Sequence, residues 1–155
     1  MNSLILTLYS IALGGLALYG LFGLLTLGLY WRHRHEQFPT PPLPIDPPSV
    51  TVQLPVFNEP FVVERLIHTA VALHYPADKL QIQVIDDSTD STTERAARWV
   101  AYYKDKGINI ALLHRSQRDG FKAGALAEAL PQASGDFIAI FDADSQVDPA
   151  FLAVA

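Results

Sequence analysis

The first charged side chain in this sequence of 155 residues is Arg32. Before it, Leu4–Leu29 reads "LILTLYSIALGGLALYGLFGLLTLGL", 26 uncharged and mostly apolar residues in one run. At about 1.5 Å per residue a helix of that length reaches roughly 39 Å, against about 30 Å of bilayer hydrocarbon. It can span a membrane with tilt. A soluble core helix would show a polar stripe, and none is present. A cleaved leader would carry basic residues first and a shorter apolar core. Here the basic residues come afterwards, in "WRHRH" (31–35). Tyr30 and Trp31 suit the aromatic belt of a membrane interface, and Arg32 and Arg34 place the region after the span on the cytoplasmic side. The sequence predicts a retained transmembrane helix over 4–31.

Residues 32–49 form a basic, proline-rich linker. Six of the twelve residues in "FPTPPLPIDPPS" (38–49) are proline, which makes a stiff, extended spacer. All 11 Lys/Arg and all 16 Asp/Glu lie after the apolar run. Their net charge of −5 argues against a nucleic-acid surface. The absence of cysteine excludes disulfides and thiolate zinc sites.

From Val50 the pattern becomes alternating strand and helix. "VTVQLPV" (50–56), "QIQVID" (81–86), "INIALLH" (108–114) and "FIAIFDA" (137–143) read as buried strands. Between them, a first helix is expected near Pro60, capped by Asn58 or Glu59 and stopped by Tyr75-Pro76. A second opens on the capping box Ser91-x-x-Glu94 and ends at Gly107. A third covers 121–130, and Asp148-Pro149 opens another. Continuous apolar strands joined by short helical crossovers predict a mostly parallel α/β sheet covered on both faces. Ligands of such sheets sit outside the carboxyl ends of the strands. That rule selects "PVFNE", "DDSTD", "HRSQRDGFK" and "DADSQ".

Those four segments carry the candidate chemistry. Asp142 and Asp144 are two apart and share a side at strand spacing. Two carboxylates about 4 Å apart repel by roughly 1 kcal/mol in water and about 4 near a protein surface. A divalent cation reverses that sign, and oxygen ligands without His or Cys suit Mg2+ or Mn2+ held jointly with phosphates. Asp148 is assigned to a helix cap. Asp86-Asp87 closes the second strand, where alternation turns one acid towards the crevice and one away. Arg118 and Lys122 stand where they can neutralise a diphosphate, and Lys122 near a helix N-terminus opposes the helix dipole. Phe57 and Asn58 follow the first strand, where a planar base can stack or be edge-bonded. The five histidines have no metal spacing and read as structural or surface residues.

Taken together, "LPVFNE", "QVIDDSTDST", "RDGFKAGAL" and "FIAIFDADSQVDPAFL" resemble the processive family-2 glycosyltransferases, closest to the cellulose-synthase-like enzymes that make β-mannans and β-glucans. The resemblance covers residues 50–153 and implies an incomplete glycosyltransferase A-type, Rossmann-like nucleotide-diphosphosugar-binding domain over 50–155. It implies that Phe57, Asn58 and Glu59 line the base and ribose, that Asp87 bonds the base with Asp86 in support, and that Lys122 sits near the nucleotide. It places Asp142 towards the ribose and phosphates, and makes Asp142 and Asp144 the holders of Mn2+ or Mg2+. The implied reaction is inverting transfer of a hexose from a UDP- or GDP-sugar to a growing β-glycan at a membrane.

Such enzymes take the acceptor proton with an acid well after Asp-x-Asp, followed by Gln-x-x-Arg-Trp. Both are expected downstream of Ala155, with further membrane spans. Arg95-Ala-Ala-Arg98-Trp99 has Arg in place of Gln and precedes Asp142, so it is no counterpart. The expectation for this chain alone is a donor half with apolar sheet faces uncovered and no sugar transfer. A lipid acceptor is the first alternative. An Asp-based phosphotransfer domain or a non-catalytic membrane binding module is the second.

Overall fold

The computed structural model describes residues 2–35, 45–145 and 147–154. Residues 36–44, which hold most of the expected proline spacer, lie outside them. The chain forms two units, Met1–Thr40 and Pro41–Ala155. The first is helix α1, Asn2–His33, 32 residues with every described side chain exposed. Its stretch Ser3–His33 is long and apolar enough to cross a membrane. Three of its hydroxyls bond to carbonyls of the same helix. Thr7 donates to Ser3 O, Ser10 to Leu6 O and Thr26 to Phe22 O, at 2.7–2.9 Å. The Arg34 guanidinium lies 5.4 Å from the Trp31 ring centre.

The second unit holds strands β1 (Val50–Val56), β2 (Leu80–Asp86), β3 (Ile110–His114) and β4 (Phe137–Ile140). They form one sheet in the order β3-β2-β1-β4, every pair parallel. Helices α2 (Val63–Val71), α3 (Thr92–Asp105), α4 (Phe121–Ala129) and α5 (Phe151–Val154) come after the four strands in turn. Strand side chains alternate, so residues of one parity share a face. Val52, Leu54, Ile82 and Val84 pack with Val63, Leu66, Ile67 and Ala70 of α2 and with Ala96 and Val100 of α3. The opposite parity turns Ile85 onto Ala125 and Ala129 of α4.

That second face carries a polar ladder. Thr51 Oγ1 donates to Gln81 Oε1 at 2.8 Å, and Gln53 Nε2 to Gln83 Oε1 at 2.9 Å. Each pair joins residues in direct register across β1 and β2. Gln83 Nε2 also reaches Ala129 O of α4 at 3.4 Å. At the β4 edge Phe137 is 62% and Ile140 47% exposed.

Several boundaries differ from expectation. α2 starts at Val63 because Phe57 to Val62 turn first, with Asn58 at φ 54° and the Glu59 carbonyl accepting from Val62 and Val63. Neither the Asn58 nor the Glu59 side chain caps α2. α2 ends at Val71, before Tyr75, whose hydroxyl instead donates to Pro48 O at 2.6 Å. The Ser91–Glu94 capping box does not form: Ser91 makes no side-chain cap, and Asp90 Oδ1 takes the Thr92 N–H at 2.9 Å. β3 starts at Ile110, and β4 ends at Ile140, so Asp142 and Asp144 stand in the loop beyond it. Gly107, at φ 84°, ends α3 as expected, and the Asp148 carboxylate accepts from Ala150 N at 2.8 Å.

Candidate active site

Parity carries over from the strands into the loops. Asp86 turns to the α3 side and is wholly buried. Its carboxylate accepts from the Thr93 hydroxyl at 2.6 Å and from Ser88 N at 3.0 Å, and His114 Nδ1 lies 2.9 Å away. Asp87, one residue on, turns to the α4 side. There it lines a cleft of about 580 Å3 at the carboxyl ends of β1, β2 and β4, together with Phe57, Glu59, Arg118, Lys122, Asp142 and Asp144. Asn58 and Asp86 are not among the lining residues. Asn58 ties two loops together: its backbone N–H donates to Ser88 Oγ, and its Oδ1 accepts from Thr89 N, both at 2.9 Å. The Asn58 side chain, expected beside the base and ribose, lies against the loop after β2 and does not line the cleft. Asp86, expected in support of Asp87, is instead wholly buried, tied to Ser88, Thr93 and His114, and does not line the cleft.

The residue that sequence reasoning missed is Arg115. It comes directly after β3, opposite Asp87, since Asp86 and His114 are register partners. Its Nε donates to Asp87 Oδ1 at 2.7 Å and its Nη2 to Asp87 Oδ2 at 2.6 Å, a bidentate pair. Nη1 reaches Glu128 at 3.2 Å and Asp119 O at 3.3 Å, and Nη2 reaches Phe121 O at 3.3 Å. These bonds, led by those to Asp87, hold the guanidinium pKa above its ordinary value, against the opposing effect of burial. The strand register was the available signal: the residue one position past the end of β3 meets Asp87.

The other two cations act differently. The Arg118 guanidinium lies 3.5 Å from the Phe57 ring centre and 5.2 Å from that of Phe121, with Nε 4.0 Å from Asp87. One approach to Phe57 is thus already taken by a planar cation. The Lys122 ammonium pairs with Asp142 Oδ1. Lys122 and Arg118 are presented by the turn Asp119-Gly120-Phe121, where Gly120 and Phe121 have φ 70° and 50°. A positive φ at a bulky residue is strained backbone, and here it borders the cleft.

Glu59 has no cationic partner among the described residues. Burial raises its carboxyl pKa above the ordinary glutamate value, and Asp144 and then Asp142 raise it further. Among the described residues no three His, Asp or Glu side chains converge as a complete metal cage. The donor set is two adjacent carboxylates with no imidazole or thiol in the cleft. That fits a hard cation whose other ligands are substrate oxygens and water. Arg95, Arg98 and Trp99 line a separate cleft of about 510 Å3 with Glu64 and Tyr102, on the outer side of α2 and α3.

Residues 51–155 match the family model described as "Glycosyl transferase family 2". The chain belongs to glycosyltransferase family 2. Its curated relatives include glucomannan 4-beta-mannosyltransferase 2 of Arabidopsis thaliana, 39% identical over 80% of this chain and 25% of that protein. Glucomannan 4-beta-mannosyltransferase 9 of the same plant is 42% identical over 68% of this chain and 20% of its own. The chain therefore spans about a quarter or less of the length of these relatives. Among solved structures, the mannosyltransferase PcManGT of Pyrobaculum calidifontis, in complex with GDP-Man and Mn2+, superposes with a TM-score of 0.67 at 34% identity. The match covers 83% of this chain and 38% of PcManGT. TarS 1–349 of S. aureus, in complex with UDP-GlcNAc, gives 0.58 at 25% identity over 67% of this chain and 29% of its own. The family-2 domain here has a glycosyltransferase A-type fold, and its parallel sheet is the frame on which the cleft is built.

Proposed function

We propose that this chain is the donor half of a membrane-anchored inverting hexosyltransferase that extends a β-glycan of the mannan class from a GDP- or UDP-sugar. The observation that carries this reading is the convergence of Asp87, Asp142, Asp144, Glu59 and Lys122 on one cleft at the carboxyl ends of three parallel strands. The names of the relatives favour mannose as the sugar. GDP as the carrier is supported by the GDP-Man complex of PcManGT.

Asp87 is an acceptor-only group held in place by Arg115. It suits a base edge that presents N–H, such as uracil N3 or guanine N1 and N2. Glu59 lies towards the ribose and Lys122 towards the diphosphate. Asp142 and Asp144 hold the divalent cation, which when bound stabilises the charge of the departing nucleoside diphosphate. The carboxylates of the cleft are thereby all assigned to the donor. The group that takes the acceptor proton is expected in sequence outside residues 1–155, and no sugar transfer is expected from these residues alone. The basic residues after α1 favour a cytoplasmic donor site.

The test is calorimetric titration of the chain in detergent with GDP-mannose and with UDP-glucose, each with and without Mn2+. Mn2+-dependent binding that disappears in Asp144→Ala is the expected result. Absence of such binding in the unmodified chain, or labelling of an aspartate as an acyl phosphate, overturns it.

A further inference from the structure

Lys122 is the second residue of α4, and its ammonium pairs with Oδ1 of Asp142, one of the two carboxylates that would hold the metal. The neighbouring cations are already committed: Arg115 to Asp87 and Arg118 to the Phe57 face. Asp144 and Glu59 have no ion-pair partner among the described residues. The positive end of α4 disfavours a cation in its first turn, so Lys122 is held there against the helix by Asp142. Any divalent ion that takes Asp142 must displace the ammonium and then stand beside a like charge.

We propose that Lys122 and the metal compete for Asp142, and that the donor diphosphate ends the competition by taking Lys122, so that one side chain couples metal binding to donor binding. This rests on the donor-site reading of the cleft. Metal alone breaks the Lys122–Asp142 pair and leaves Lys122 with no new anionic partner. Metal with a nucleoside diphosphate gives Lys122 a new anionic partner, at a helix N-terminus that favours anions. The two ligands then strengthen each other by equal factors, as linkage requires.

The experiment titrates Mn2+ into the chain in detergent, with and without GDP, and reads free Mn2+ by electron paramagnetic resonance. In the unmodified chain GDP tightens Mn2+ binding. Lys122→Met, which removes the charge and keeps the stem, is expected to bind Mn2+ alone about two- to five-fold tighter, the range given by loss of an exposed ion pair. It is also expected to lose part of the tightening by GDP. Lys122→Arg keeps the charge and should match the unmodified chain for Mn2+ alone. If Lys122→Met binds Mn2+ alone no tighter while GDP still tightens it, the coupling is overturned and the donor site stands. A Lys122→Met chain that melts earlier and binds both ligands more weakly assigns Lys122 a structural part and also overturns the proposal. If GDP has no effect on Mn2+ in the unmodified chain, the donor-site reading fails and the coupling falls with it.

Discussion

Replacing Arg115 with methionine removes the cation that neutralises Asp87. In the pair the two side chains are 8% and 5% exposed, so neither has water to fall back on. Breaking such a pair from one side typically costs about 3–5 kcal/mol, because a charge is left buried and unpaired. The lost contact to Glu128 adds little, since that carboxylate is 66% exposed. Arg118, 4.0 Å from Asp87, is placed to move in, which favours the lower end of the range. Against a total stability of about 5–15 kcal/mol for a domain, the loss is large. Urea unfolding can follow Trp99, which packs against His68 at 4.4 Å, in a Trp31→Phe background. With slopes of about 1–3 kcal/mol per molar urea, the midpoint should fall by at least about 1 M. Adding Asp87→Asn to Arg115→Met should recover much of that loss, because no charge is then stranded. A single variant that shifts the midpoint by less than about 0.5 M at unchanged slope, or a double variant as damaged as the sum of its parts, refutes the reasoning.

Three further outcomes are expected. Glu59 binds its proton more tightly folded than unfolded, so stability falls as pH rises from the ordinary glutamate value through the raised one. Glu59→Gln should remove that fall, which urea midpoints between pH 4 and pH 7 will show; parallel curves for the two chains reject the assignment. Gly124→Ala puts a Cβ 2.0 Å from Asp119 O, so the turn that presents Arg118 and Lys122 must shift. Binding of GDP with Mn2+ should drop at least several-fold by calorimetry, and unchanged affinity contradicts the fixed turn. A cysteine placed at Ser49 in membrane vesicles should react with an impermeant maleimide only when the cytoplasmic side is exposed; reaction from the other side reverses the orientation.

Much of the sheet was legible because apolar strands declare themselves. "VTVQLPV" matches β1 residue for residue, and β2 differs by one residue at its start. The cleft was legible for a related reason: parity carries Phe57, Asp87, Asp142 and Asp144 to one side, and parity is counted along the sequence by twos. What could not be counted was competition among polar groups. Ser91 and Asp90 both offer an oxygen to the start of α3, and loop geometry gives the bond to Asp90. Asn58 was expected as a cap of α2, and its side chain accepts from Thr89 instead. Arg115 stood in a run of polar residues with no pattern of its own. Only the pairing of β3 with β2 reveals that it faces Asp87.

The amide ladder on the α4 face has a consequence for the cleft. Burial alone tolerates a slip of β1 against β2 by two residues, since Val52, Leu54, Ile82 and Val84 are nearly interchangeable and keep their face. Such a slip moves Phe57 by about 6.6 Å relative to Asp87, at about 3.3 Å per residue. Gln53 and Gln83 forbid it, because either shift strands a buried amide opposite a side chain that cannot answer it. Two glutamines deep in the sheet thus act as an alignment key, and the distance between Asp87 and the aromatic ring across from it is set by residues that do not line the cleft.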